Sequence, residues 1–325
     1  MKLPRRSFLH LAAGVVALPA AARIAWAQSY PTRPVRIIVG FPAGSSADVF
    51  ARSTAQWLSE RLGRPFIVEN RPGAGSSIAA EAVVRAPPDG HTLLWTTAAN
   101  TTNTTFYDNL TFNLIRDIAP VASIVRTFFV LVVNPSVPAK TLAELIAYAK
   151  ANPGKLSIGV GGNGSLFHLA GELFKMMAGI DMLNVVYRGD VLALTDLLGG
   201  QVQVSFASSS SAIEHFKAGR LRALAVSTAT RRDELPELPA IGEFVPGYEA
   251  IGWQGISAPK STPTEIVDKL NVEINAGLAQ PAMKARLAEQ GGTVLVGSPA
   301  DFGKLIANDT EKWAKVIRAA NIKAE

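Results

Sequence analysis

Apolar residues in this chain alternate between two patterns, short β-branched runs and longer stretches with apolar positions three and four residues apart. Val35–Val39 reads as a buried strand and 41–47 as a loop of small residues. Positions 48–62 read as a helix with Val49, Ala51, Ala55, Leu58 and Leu62 on one face, closed by Gly63. A strand at 66–69, a turn at 70–75, a helix at 78–86 and a strand at 91–96 follow. A second cycle opens after the apolar run 128–133 and the break at Asn134-Pro135 and Pro138. Thr141 with Glu144 three residues on reads as a capping box at a helix start. Then come a strand at 156–160, a glycine-rich loop at 161–165, a helix at 166–177, a strand at 184–187, a helix at 193–198, a strand at 202–207, a four-serine loop at 208–211 and a strand at 221–227. Helices at 263–279, 282–290 and 299–320 finish the chain. Such alternation predicts an α/β protein, its sheets covered by crossover helices. The expected division is lobe 1 from 28–130 plus 228–325 and an inserted lobe 2 from 131–227, with hinges near 128–133 and 226–230.

The first 27 residues depart from this pattern. Lys2, Arg5 and Arg6 precede an apolar run at 11–22, and Ala25-Trp26-Ala27 stands before Gln28. Basic start, short apolar run and small-residue site predict a secretory signal peptide over 1–27, with Arg5-Arg6 similar to a twin-arginine signal. The run is about 12 residues, short of the ~20 that span a bilayer. The expected compartment is therefore the periplasm.

Charge changes its meaning once that segment is set aside. The whole chain has 32 basic and 26 acidic residues; without Lys2, Arg5, Arg6 and Arg23 the balance is 28 to 26, a net charge of +2. No basic run follows Gln28, so nucleic acid is not an expected partner. The chain has no cysteine, which excludes disulfides and thiolate metal sites.

Two loops join a strand end to a helix start with small residues: Phe41, Pro42, Ala43, Gly44, Ser45, Ser46, Ala47 and Asp48 in one, and Gly161, Gly162, Asn163, Gly164 and Ser165 in the other. Small side chains open the backbone N–H groups of a helix start to an anion, and in α/β sheets ligands sit beyond the strand ends where such loops lie. Strand-to-helix turns are also glycine-rich for steric reasons alone. The residues 159–164 fit G-x-G-x-x-G with Asp190 downstream, which sets up an alternative: an exported NAD(P)-dependent oxidoreductase. His168 and Glu172 share a helix face, but two ligands make a weak metal site, and no H-E-x-x-H or G-x-S-x-G is present. Arg188 is suited to a carboxylate, Asp190 to a ligand donor or a helix cap, and Thr96, Thr97 and Asn100 to neutral hydrogen bonds at the same sheet edge.

Several ordered stretches complete the reading. They include Tyr30-Pro31-Thr32-Arg33-Pro34-Val35 with Phe41-Pro42 and Asp48, then Val68-Glu69-Asn70-Arg71-Pro72-Gly73, then Pro88-Asp89-Gly90-His91. Asn134-Pro135-Ser136-Val137-Pro138, His168-Leu169-Ala170-Gly171-Glu172 and Leu194-Thr195-Asp196-Leu197-Leu198 follow in order. In these the chain resembles the Bug-type periplasmic receptors of tripartite tricarboxylate transporters. The resemblance implies a two-lobed, hinge-closing type II binding protein, not an enzyme, without cofactor or metal, for a carboxylate such as a di- or tricarboxylic acid, an aromatic acid or an amino acid. It implies ligand contacts at Phe41, Ala43, Gly44, Ser45, Ser46 and Ala47, at Thr97 and Ala98, and at Asn163, Gly164, Ser165, Phe167 and His168. Arg188, Gly189, Asp190 and Ser208 complete the expected set. Membrane permease subunits are the implied partners, and the receptor is expected to be a monomer. Gln203 and Ala207 stand where acidic residues are frequent in that family. Asp190 stands where a small residue is usual; a carboxylate there repels a second ligand carboxylate unless Arg188 pairs with it, which argues against a tricarboxylate.

Overall fold

The computed structural model describes residues 30–107 and 110–323, so the signal peptide expected at 1–27 lies outside the described residues. Val35–Val39 (β1) buries Val35, Ile37, Ile38 and Val39 completely, as a parallel strand covered on both faces must. It pairs in parallel with β2 (Phe66–Asn70) and β3 (Thr92–Thr97). Strand β4 (Ile118–Val133) is 16 residues long and links two halves of a ten-stranded sheet. Its residues 118–128 pair antiparallel with β9 (Ile251–Pro259), which also pairs with β3, while β10 (Gly292–Val294) lines its other edge. Its residues 129–133 pair with β7 (Val204–Ser208), and beyond β7 lie β5 (Ser157–Val160) and β6 (Leu183–Val186). The strand β8 (Arg222–Val226) pairs with this same segment of β4. β6 ends the order, and its residues are exposed, unlike the buried β1.

Helices cover both halves. In the first half these are α1 (Ser46–Leu62), α2 (Ser77–Val84), α3 (Ala99–Phe106), α4 (Leu114–Asp117), α9 (Thr264–Ala279) and α10 (Pro281–Glu289). In the second they are α5 (Leu142–Ala151), α6 (Leu166–Ala178), α7 (Asp190–Leu198) and α8 (Ser209–Lys217). The last helix, α11 (Pro299–Ala319), serves both: Trp313, Val316 and Ile317 enter the core of the second half with Phe174 and Phe206, and Phe302 and Ile306 pack with Trp253 in the first. The crossing point is tied by one hydroxyl. Ser227 Oγ donates to the Ala250 carbonyl at 2.6 Å and accepts from the Phe129 N–H at 2.9 Å, joining three segments that pass between the halves.

Four local expectations change. Ser208–Ser211 is not a loop: Ser208 is the N-cap of α8, and Ala212 buries itself one turn on. The capping box at Thr141 is half formed, because Thr141 accepts from Glu144 N–H but the Glu144 carboxylate reaches Lys140 N–H instead, one residue further back. The helix expected at 193–198 begins at Asp190. Helix α3 was not legible, since Asn and Thr are poor helix formers; tertiary bonds hold it, with Asn103 Nδ2 donating to the Gly75 carbonyl and to Ser77 Oγ.

Candidate functional site

The two small-residue loops fold into the same turn. Ser45 and Ser165 each cap a helix from extended backbone, at φ −67° with ψ 161° and 162°, and each hydroxyl accepts an N–H from three residues on, Asp48 and His168, at 3.3 Å. The preceding glycines take left-handed φ, +81° at Gly44 and +67° at Gly164, which a side chain adopts only under strain. Each glycine N–H donates four residues on: Gly44 to Asp48 Oδ2 at 2.9 Å and Gly164 to His168 Nδ1 at 3.1 Å. Helices α1 and α6 thus start with their unpaired backbone donors at the ends of β1 and β5.

What stands behind the turns differs. Asp48 is buried and accepts from Arg52 at 3.0 Å and from Asn70 Nδ2 at 2.9 Å. Burial alone pushes its carboxyl up, but hydrogen bonds from Arg52, Gly44 and Asn70 outweigh burial and hold it below the usual aspartate value. His168 is buried beside Glu172, with Nε2 3.7 Å from Oε1, and Glu172 is tied to Lys175 at 2.7 Å and Asn184 at 2.6 Å. Desolvation works against the charged form of Glu172, yet His168, Lys175 and Asn184 bring its pKa down to about 2. The pair weighed as a metal site is thus occupied by its neighbours.

The structure brings several other expected residues together. Val39 pairs with Trp95, so the first loop and Thr97 leave the same edge of the sheet. The Thr97 N–H is taken by Asn100 Oδ1 at 2.8 Å. Ala98 is buried in a cluster with Trp253 and Phe302, and Leu166, the first residue of α6, packs against that cluster. Gly164 lies against the Phe106 ring, so the second loop touches the end of α3 across the two halves. Phe167 packs against Phe129 with the rings tilted by 54° and their centroids 4.8 Å apart, and Phe129 is the cross-strand partner of Ser208. Asn163 is committed elsewhere, its amide donating to the Lys323 carbonyl at 2.9 Å. Phe41 packs on the first-half core, and its carbonyl accepts from Asn70. Ala43, Gly44 and Ser46 are exposed, and Ala47 is buried.

Arg188 is exposed and forms no ion pair with Asp190 among the described residues. Gly189, at φ +121°, caps α7, and Asp190 is the helix's first residue without a side-chain cap bond. A Cβ at Gly161 would sit 2.8 Å from the Asp190 Cα, so the glycine-rich loop and the start of α7 are in direct contact. This gives the G-x-G-x-x-G resemblance a steric origin: its central Gly161 serves a close backbone approach. Gln203 faces away from the loop, its Oε1 accepting from Ser157 at the opposite end of β5. Two residues outside the expected contact set belong here. Ser76 Oγ and Asn100 Nδ2 are buried without a hydrogen-bond partner among the described residues, and Ser76 lies against Gly40 at the end of β1. Buried polar atoms of this kind are completed by a bound water or a ligand. Asn100 is readable from its place after β3, but Ser76 is brought in by a turn in which Ala74, Gly75 and Ser76 all have positive φ.

Known proteins are similar to this chain in sequence and fold. A family model described as "Tripartite tricarboxylate transporter family receptor" matches residues 50–322. Protein BugT of Bordetella pertussis is 35% identical over 300 residues, 91% of this chain and 92% of that one. Among solved structures, an R. palustris protein with adipate has a TM-score of 0.78 and 37% identity over 90% of this chain and 99% of its own. MatC from Rhodopseudomonas palustris with bound malate has a TM-score of 0.74 and 28% identity, covering 89% of this chain and 100% of its own. The α/β, two-lobed class expected from the sequence is the class of these structures.

Proposed function

This chain belongs to the tripartite tricarboxylate transporter receptor family, whose members are solute-binding receptors and not enzymes, and we propose that it captures a small carboxylate between two lobes in the periplasm. The oxidoreductase alternative falls with that membership. The carrying observation is the pair of equivalent serine-capped turns, one at the end of β1 and one at the end of β5, each presenting helix-start N–H donors. Buried, unpaired Ser76 Oγ and Asn100 Nδ2 beside the first turn supply polar contacts for the same ligand.

In this reading lobe 1 is 28–130 with 228–325, lobe 2 is 131–227, and the lobes close about the segments tied by Ser227. The contacts are those expected in the two turns apart from the Asn163 amide, which is held by Lys323, and those at Thr97 and Ala98, at Phe167, Arg188 to Asp190 and Ser208. The relatives with adipate and malate support an aliphatic dicarboxylate as the first class to try, ahead of aromatic acids and amino acids. Asp190, unpaired with Arg188, repels a second ligand carboxylate near it, so the far carboxylate of such a ligand must lie away from Asp190 and a tricarboxylate is disfavoured. The captured solute passes to membrane permease subunits, the receptor acting as a monomer after export by its N-terminal signal.

A thermal-shift screen of purified protein against aliphatic and aromatic carboxylates, amino acids and NAD(P) tests this. A ligand at ~100 Kd adds about 2.7 kcal/mol to stability. The expected result is a rise in Tm with one carboxylate that the double substitution Ser45→Ala, Ser165→Ala removes. A rise with NAD(P) alone would sink the proposal.

A further inference from the structure

A cavity of about 90 Å³ lies at the crossing between the halves, and its walls contain none of the turn residues described above. Arg126 and Phe128 come from β4, Thr228, Thr230 and Arg232 from the segment after β8, and Glu249 from the approach to β9. These are the three stretches that Ser227 ties together.

Two arginines that are 106 positions apart in sequence therefore share one small space. The Nε atoms of both are buried without a hydrogen-bond partner. Arg232 is held in place on its other side: Nη2 donates to Glu234 at 2.9 Å and to Thr293 at 3.0 Å, and the guanidinium lies 5.6 Å from the Phe128 ring centre. Arg126 has no ion pair among the described residues. Both arginines are half-buried and Arg232 is paired with Glu234; guanidinium keeps its proton in a protein, so each presents a lasting positive charge with one donor, Nε–H, unmet. Threonine hydroxyls at 228 and 230 add neutral hydrogen-bonding groups to the same walls. Glu249, the one acidic residue in these walls, works against an anion, but it is exposed, so solvent screens its charge, and its carbonyl accepts from Lys312 at 2.9 Å.

We propose that this cavity is a second anion site, for a small oxyanion of the phosphate or sulfate type, independent of the paired turns. Oxygens in several directions from one centre match the donors of two arginines and the Thr230 hydroxyl, the Thr228 hydroxyl being given to the Thr230 carbonyl at 2.6 Å. An ion held there connects β4 to the segment after β8, the two strands of the crossing, and so stiffens the passage between the halves.

Inorganic phosphate is the probe, compared with sodium chloride at equal ionic strength by thermal shift and by isothermal titration. Phosphate is expected to raise Tm beyond chloride. In Arg126→Gln its Kd is expected to weaken by roughly ten-fold or more, the effect of losing a hydrogen bond to a charged group. Arg126→Lys, which retains the charge but not the Nε–H, is expected to weaken it less and serves as the test if the glutamine variant does not fold. The Ser45→Ala, Ser165→Ala variant is expected to keep the whole phosphate response, even if it also keeps carboxylate binding and so refutes the proposed function. No response in the unsubstituted protein, an equal response in both Arg126 variants, or a response lost with the two serines would each overturn the site.

Discussion

Gly44 and Gly164 point their N–H groups at the residue four places on, and in one half that residue is a carboxylate while in the other it is an imidazole. The capping serines share their dihedral angles and the glycines before them share left-handed φ, whereas two residues earlier Gly162, at φ +119°, stands where the other turn has Pro42; the Gly-Ser pair at the exit from a parallel strand is what the two turns have in common. The fourth residue sets the charge. Asp48 places a negative group at the start of α1, where it favours the helix but opposes a second anion, and Arg52 offsets it from the next turn. His168 accepts the same kind of bond through Nδ1 and passes its other nitrogen to Glu172 and Asn184. One turn is thus built on an ion pair reaching solvent, the other on a nearly buried chain of polar groups.

The largest test of that contrast removes the carboxylate. Asp48→Ala leaves Gly44 N–H and Asn70 Nδ2 without their acceptor and Arg52 without its partner, and is expected to cost about 3 kcal/mol, read from urea midpoints. A loss below about 1 kcal/mol, the range of an exposed ion pair, would mean that the turn does not depend on Asp48. Next comes a matched pair of glycine substitutions. A Cβ at Gly44 meets nothing within 4 Å, whereas one at Gly164 meets the Phe106 ring at 2.6 Å. Gly44→Ala is expected to cost about 1 kcal/mol from its positive φ alone, and Gly164→Ala about 2 kcal/mol more from overpacking. Equal losses would show that the second turn is not pressed against α3.

The smallest effect is in acid. Glu172 has its pKa lowered to about 2, so its contribution is complete above the ordinary glutamate value near 4.5 and disappears as pH falls toward about 2. Allowing for solvent screening, this contribution is about 1 kcal/mol. Glu172→Gln should therefore flatten the fall in stability between these pH values, and an unchanged acid limb would assign it to other carboxylates such as Asp48.

Both turns were legible in the sequence because glycine, serine and helical spacing are local signals; α1 and α6 begin within two residues of the expected positions. Segments held by distant partners were not. Helix α3 reads as loop until Asn103 finds Gly75 and Ser77, and β4 reads as a short apolar run because Pro120, Ser123, Arg126 and Thr127 interrupt its first two turns of pairing with β9. The four serines at 208–211 read as a loop by composition, although the first of them is a strong helix start. Ser76 depends on Gly40, and Arg126 meets Arg232 only because β4 and the strand return cross at one place. No periodicity encodes such meetings.

The last helix sets a timetable for folding. Since α11 gives Trp313 and Ile317 to one core and Phe302 and Ile306 to the other, neither half is complete until this 21-residue helix is in place. Both cores therefore close in a single event, and a chain that lacks this helix leaves two apolar interiors open at once.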